Sequence, residues 1–208
     1  MRRRWMMGKW TALIAFPLLL VGLVASAGTL AWFTAQATAT NKLEGPQYRF
    51  DVPLDEVFTP PTTPLEPGDP YPKEVGATNT GDLPGFVRLL VFPTVVAADG
   101  VTVLPARLGA EIVLLGQNTT AWMDGEDGYF YYLKRLAPGE TTPPLFAAVK
   151  LADHFSAAYK GATLSIDVKV EASGTKPWAY RVGWWGSATP SLNGNLITID
   201  NTLGGLTQ

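Results

Sequence analysis

The sequence predicts an all-β fold, a β-sandwich of two antiparallel sheets, preceded by an N-terminal hydrophobic signal helix. Three observations carry this expectation. Short runs rich in β-branched and aromatic residues recur along the chain, separated by Gly, Pro, Asn and Asp turn residues. One of these runs, Thr163 to Glu171, alternates strictly: Leu164, Ile166, Val168 and Val170 are apolar, and Ser165, Asp167, Lys169 and Glu171 are polar, so one face suits a core and the other water. After Thr34, no stretch of adequate length carries an amphipathic helical period.

Taken in order, Ala35 to Thr40 alternates small apolar with polar residues, as a half-buried strand does, and Tyr48 to Val52 is a weaker run. From Thr59 to Pro70 the repeated prolines lack the amide donor of a ladder, which leaves an edge or a surface loop. Lys73 to Asn79 reads as a strand closed by Thr80-Gly81-Asp82. Phe86 to Phe92 is apolar on both faces and so belongs centrally between layers. Strands follow at Glu111 to Leu115 and Tyr129 to Lys134, with a turn at Ala137 to Glu140 leading into Pro144 to Leu151. A single helical turn fits between Leu151 and Lys160, ended by Gly161. Beyond Ser173 the chain is a C-terminal extension, residues 173–208, in which Ala179 to Trp185 and Asn195 to Asp200 are strand-like and Thr202 to Gln208 frays.

Composition narrows the class of protein. Apolar residues make up 47% of the 208 and charged residues 16%, which fits a globular core and excludes a disordered polyelectrolyte. There is no cysteine, so disulfide frameworks, Cys-based zinc sites and thiol nucleophiles are excluded. Four of the 16 cations, Arg2, Arg3, Arg4 and Lys9, precede the apolar run; without them 12 cations face 18 carboxylates, a net charge of -6. An acidic remainder without a basic stripe argues against nucleic-acid binding.

Residues 1–27 have the three parts of a secretory signal: a basic start, an apolar run from Leu13 to Val24, and the small-residue site Ala25-Ser26-Ala27. Cleavage after Ala27 leaves residues 28–208 as one β-sandwich domain outside the cell, with a Cys-free composition suited to a bacterial exterior. The alternative is an uncleaved anchor, since apolar character continues to Phe33 and would then cross a bilayer of ~30 Å at ~1.5 Å per residue. In either case the membrane is met only through the uncleaved signal. After cleavage, Leu30, Trp32 and Phe33 stand in an apolar segment that runs into the Ala35 to Thr40 strand. Residues 28–40 are therefore a candidate donor strand for the open sheet edge of a neighbouring copy.

Candidate chemistry is sparse. A helical zinc peptidase site needs two histidines one turn apart, and the chain has one, His154, read as a loop histidine. The acidic run Asp124-Gly125-Glu126-Asp127-Gly128 lacks the register of a calcium loop and reads as a solvated turn, with a weak calcium site as the alternative. Asn118-Thr119-Thr120 matches a glycosylation sequon but reads as a turn. Arg88, inside an apolar strand, calls for a carboxylate partner if buried. The aromatics Trp122, Tyr129 and Tyr131, and Phe130 with Tyr132, read as core and cross-strand partners. Trp178, Trp184 and Trp185 near Tyr180 are a candidate sugar-stacking surface.

Several segments resemble one known family. They are Gly28 to Thr34 after the signal, the Leu65-Glu66-Pro67-Gly68-Asp69 turn, Lys73 to Arg88, Gly128 to Tyr132, Leu136 to Thr142 and Pro144-Leu145-Phe146. In that order, as far as Ala172, they are similar to the TasA and camelysin group of exported Gram-positive proteins, whose signals are processed by a dedicated SipW-type signal peptidase. The resemblance implies a jelly-roll sandwich, export and, for TasA-like members, assembly with copies of itself into extracellular or biofilm-matrix fibres at the cell surface; the sparse candidate chemistry adds the expectation of no cofactor and no enzymatic role. Camelysin-like members have been classed as metallopeptidases, and the single histidine weighs against that here. The alternative function is a cell-surface carbohydrate- or wall-binding module that uses the C-terminal tryptophans.

Overall fold

The computed structural model describes residues 49–58, 68–153 and 157–208. The signal with Ala25 and Ala27, the candidate donor strand with Leu30, Trp32 and Phe33, the prolines between 59 and 67, and His154 lie outside the described residues.

The fold is mostly β, with its strands in two antiparallel sheets packed as a sandwich. One sheet has the order β1-β2-β8-β5, formed by Leu54–Phe58, Pro70–Ala77, Ala148–Leu151 and Ile112–Leu115. The other is built on β3, Gly85–Val96. Strand β9, Thr163–Gly174, pairs with β3 along its whole length, from Gly85↔Gly174 to Val96↔Thr163. The opposite edge of β3 is shared by β7, Tyr129–Tyr132, and the short β4, Val103–Leu104, and β6, Trp122–Asp124, continues the sheet beyond β7.

Inner faces of the two sheets meet in one core, with Val75, Leu114 and Val149 against Leu89, Val91, Phe130 and Val168. Each such side chain contributes roughly 1.5–3 kcal/mol on burial. In β9 the inside-outside alternation read from the sequence holds. Val168 and Val170 are 4% and 5% exposed, Leu164 and Ile166 are half-buried, and Ser165, Asp167 and Lys169 face outward. The helical turn expected before Gly161 is a 3-10 turn, Ala157–Tyr159. Gly161 leaves it at φ 72, a left-handed backbone that glycine takes without Cβ strain.

Three expectations need correction. Residues 179–185 and 195–200 are not strands: Ala179–Trp185 is helix α1 and Asn195–Gly204 is helix α2. The β-branched Ile197, Thr198 and Ile199 imitate a strand, but Leu196, Ile199 and Leu203 fall at helical spacing, and the face they form is buried against the sheet. Nor does the C-terminus fray, because Leu203 is fully buried and the Gln208 amide donates to the Thr175 carbonyl at 2.9 Å. Finally, residues 49–53 form no strand, although Val52 is buried, and pairing begins at Leu54.

The two helices make a third layer. They cover the outer face of the β3 sheet in a second apolar cluster of Phe86, Tyr131, Tyr180, Ile199 and Leu203. This accounts for the apolar outer face at the start of β3: Val87, Leu89 and Val91 meet the other sheet and Phe86 meets the helices, whereas Phe92 further along the outer face is 60% exposed. Pro70 and Pro72 in β2 stand opposite Lys150 and Ala148 of β8, the one strand paired with them among the described residues.

Candidate functional site

Three places bring chemistry-bearing side chains together: the seam between the β3 sheet and the C-terminal helices, the acidic turn after β6, and the side of the sandwich where β1 and β9 end the two sheets.

At the seam, register decides the partners. Arg88 on β3 stands between Tyr131 on β7 and Glu171 on β9. It is 6% exposed. Its Nε and Nη2 donate to Glu171 Oε2 at 2.9 and 2.6 Å, and its Nη1 donates to Tyr131 Oη at 3.0 Å. The guanidinium plane also lies 3.7 Å from the Tyr129 ring and 5.2 Å from the Trp184 ring, so the charge is both paired and stacked. Glu171 accepts further bonds from Lys169 Nζ at 2.7 Å and Tyr129 Oη at 3.1 Å. Burial alone would raise the Glu171 pKa, but donation from Lys169 and Arg88 outweighs it and holds the carboxyl below its usual range.

Tyr131 is the hub of the cluster. Its hydroxyl donates to Asp127 Oδ2 at 2.7 Å and accepts from Arg88 and from Trp185 Nε1 at 3.2 Å. Burial and the bond to Asp127 push its pKa up to about 12. With one donor and two acceptor positions filled, the hydroxyl is saturated. This cluster is therefore a latch that pins the helices to the sheet.

The aromatic candidates separate. Trp184 and Trp185 are half-buried against Tyr131 and Tyr180, with ring centroids 5.5 to 6.1 Å apart. They share no exposed platform with Trp178, which is 51% exposed and lies against the Arg181 guanidinium at 4.5 Å. Trp122 and Tyr132 lie in the inner core, whereas Tyr129 and Tyr131 face the helices.

The acidic turn is a second attachment point. Asp124 Oδ1 accepts from the Glu126 amide at 2.8 Å, and Asp127 Oδ1 from the Tyr129 amide at 3.1 Å. Glu126 turns its carboxylate to the first amide of α2, at Asn195, while Asn195 Nδ2 donates to the Asp124 carbonyl at 3.0 Å. A carboxylate at a helix N-terminus is favourable. Among the described residues no group of three or more His, Cys, Asp or Glu could hold a metal ion. Asn118 builds the expected turn, its Oδ1 accepting from Thr120 Oγ1 at 2.8 Å and the Ala121 amide at 3.1 Å. Sequence reasoning missed the role of 124–128 because its partner lies about seventy residues onward.

On the third side, β1 and β9 end their sheets next to one another. The two edges differ. β1 carries Asp55 and Glu56, and Glu56 pairs with the buried Lys73, whose ammonium sits 4.8 Å from the Phe58 ring. Charged side chains on an edge strand blunt it against indiscriminate pairing. β9 is bonded to β3 on one edge, and its other edge meets no strand among the described residues. Its core-facing Leu164 and Ile166 are only half-buried, unlike Val168 and Val170 further along.

No match to this chain is found among known protein families, curated proteins or solved structures.

Proposed function

We propose that the chain is an exported structural subunit that polymerises by strand addition into extracellular or matrix fibres at the cell surface. The edge of β9 that meets no strand among the described residues carries the reading. It offers a row of backbone groups beside the half-buried Leu164 and Ile166, the combination that an added strand completes through ladder bonds and alternate side chains. The proposed occupant is residues 28–40 of a second copy, freed by cleavage after Ala27, with Leu30, Trp32 and Phe33 as its apolar side chains. Such a head-to-tail contact does not close on itself, so it builds a filament. The jelly-roll form of the sandwich belongs to the same reading. It is supported by the way the chain passes from β2 to β3, from β5 to β6, and from β7 through β8 to β9, changing sheet at each step. The reading gives the chain a dedicated signal peptidase as processing partner, a secreted location, and no catalytic role for His154.

The test compares residues 28–208 with residues 41–208 by electron microscopy and size-exclusion chromatography. The longer chain should form filaments and the shorter should stay monomeric, with a synthetic 28–40 peptide restoring short complexes. Equal filament formation by both would refute strand donation from the N-terminus.

A further inference from the structure

We propose that the C-terminal layer carries a binding cleft for a neutral, hydroxyl-rich ligand, a stretch of glycan chain, independent of any assembly through β9. The cleft lies between the start of α1 and the end of α2 and has a volume of about 270 Å³. That is somewhat below the ~300–1,000 Å³ typical of pockets that engulf a drug-sized ligand, and it suits a chain laid across an open groove.

Trp178 is the first of the groups that select the ligand. It is a large aromatic, 51% exposed, at φ 68, in the left-handed region that favours glycine. Core packing does not explain a half-exposed tryptophan in that conformation, and strained backbone of this kind clusters at ligand sites. Arg181 against the indole steadies the ring. A sugar ring presents an apolar C–H face, and a held indole is a suitable surface for it to stack on.

The polar groups choose among ligands by charge. Arg181 Nε and Nη2 donate to Asp200 Oδ1 and Oδ2 at 2.6 and 2.9 Å, and Tyr180 Oη donates to Asp200 Oδ1 at 2.8 Å. The charged side chains lining the cleft are this one guanidinium and this one carboxylate, so its lining is formally neutral and favours neither anion nor cation. Hydrogen-bonding capacity nevertheless remains. Of the five guanidinium N–H groups, three go to Asp200 and to the Ala188 carbonyl and the Tyr180 hydroxyl engages the guanidinium as well, which leaves at least one. Asn201, exposed on the rim, adds a side-chain donor and acceptor. At Gly204 on the wall, an added Cβ would come within 3.4 Å of the buried Tyr180 Oη and 3.8 Å of Arg181 Nη2, so the missing side chain leaves room beside the guanidinium, whose side chain is 19% exposed. Fixed polar groups without net charge beside an open aromatic face match vicinal hydroxyls on a pyranose.

The experiment titrates the exported chain, residues 28–208, with cellohexaose and chitohexaose by calorimetry and tryptophan fluorescence, with an oligogalacturonate as the anionic comparison. Trp178→Gly removes the ring while suiting the backbone, and Asn201→Ala removes a rim group that supports no packing. At least one neutral hexaose should bind. Trp178→Gly should weaken it by about tenfold or more with an unchanged or higher melting temperature, and Asn201→Ala should weaken it by a smaller factor. The proposal is overturned if neither hexaose binds at concentrations up to about 10 mM. It is equally overturned if Trp178→Gly binds as well as the parent, or if the anionic oligomer binds more tightly than both neutral ones.

Discussion

Replacing Arg88 by methionine tests the latch between sheet and helices most directly. The substitution keeps an unbranched chain in β3 but removes the guanidinium. It deletes two bonds to Glu171, one to Tyr131 and the stack on Tyr129. Breaking a buried pair by removing one partner costs about 3–5 kcal/mol when the other charge is stranded. Here Glu171 keeps Lys169 and its side chain is 23% exposed, which lowers that figure. Loss of the stack adds about 0.5–1 kcal/mol. The expected destabilisation is therefore about 2–4 kcal/mol, measured in urea by the emission of Trp184 and Trp185, which stand beside the lesion. Replacing both partners, Arg88→Met with Glu171→Leu, should cost less than the two single changes added together, by about 1 kcal/mol or more. A cost below about 0.5 kcal/mol for Arg88→Met, or strict additivity in the double variant, would refute the latch.

Truncation after Gly174 should expose Phe86, Tyr131, Met123 and Leu133 as one apolar face; the shortened chain is expected to bind a hydrophobic dye and aggregate, and a soluble, dye-silent product would contradict the third layer. Val168→Ala should cost about 1–3 kcal/mol and Ile166→Ala the lower part of that range because it is half-buried, whereas Asp167→Ala on the outer face should cost under about 0.5 in the same melts. The depressed Glu171 pKa means that the unfolded chain takes up the proton first as pH falls. Its contribution is present above the ordinary glutamate value of 4.5 and is lost as pH drops through the lower folded value, so Glu171→Gln should flatten the acid limb of a stability–pH curve. At the alkaline end, Tyr131 and Tyr180 ionise near 12 in the fold against 10 when free. Stability should fall as pH rises from 10 toward 12, and tyrosinate absorbance that rose fully at 10 without unfolding would contradict their burial.

Much of the β architecture was legible because a strand's side-chain period is local. Nine residues from Thr163 to Glu171 state which face of β9 is apolar without reference to any other part of the chain. Turn residues at Asn118 and Gly161 likewise act through backbone preferences that their own positions supply. For Arg88 the sequence left two outcomes, outward at a sheet edge or buried and paired with a carboxylate, since a buried guanidinium must be neutralised; the structure buries it. Only tertiary structure decided that the partner was Glu171, because the in-register pairing of β3 with β9 brings together residues 83 apart in the chain. The C-terminal layer was illegible for a related reason. Helices of seven and ten residues have little stability alone, and their β-branched and aromatic residues favour strands on propensity. Docking onto Phe86 and Tyr131 makes them helical, by burying one face of each. The same docking draws Trp184 and Trp185 into a core and leaves Trp178 at the surface, a division no local pattern encodes, because the sheet that buries two of the three indoles is built from residues far earlier in the chain.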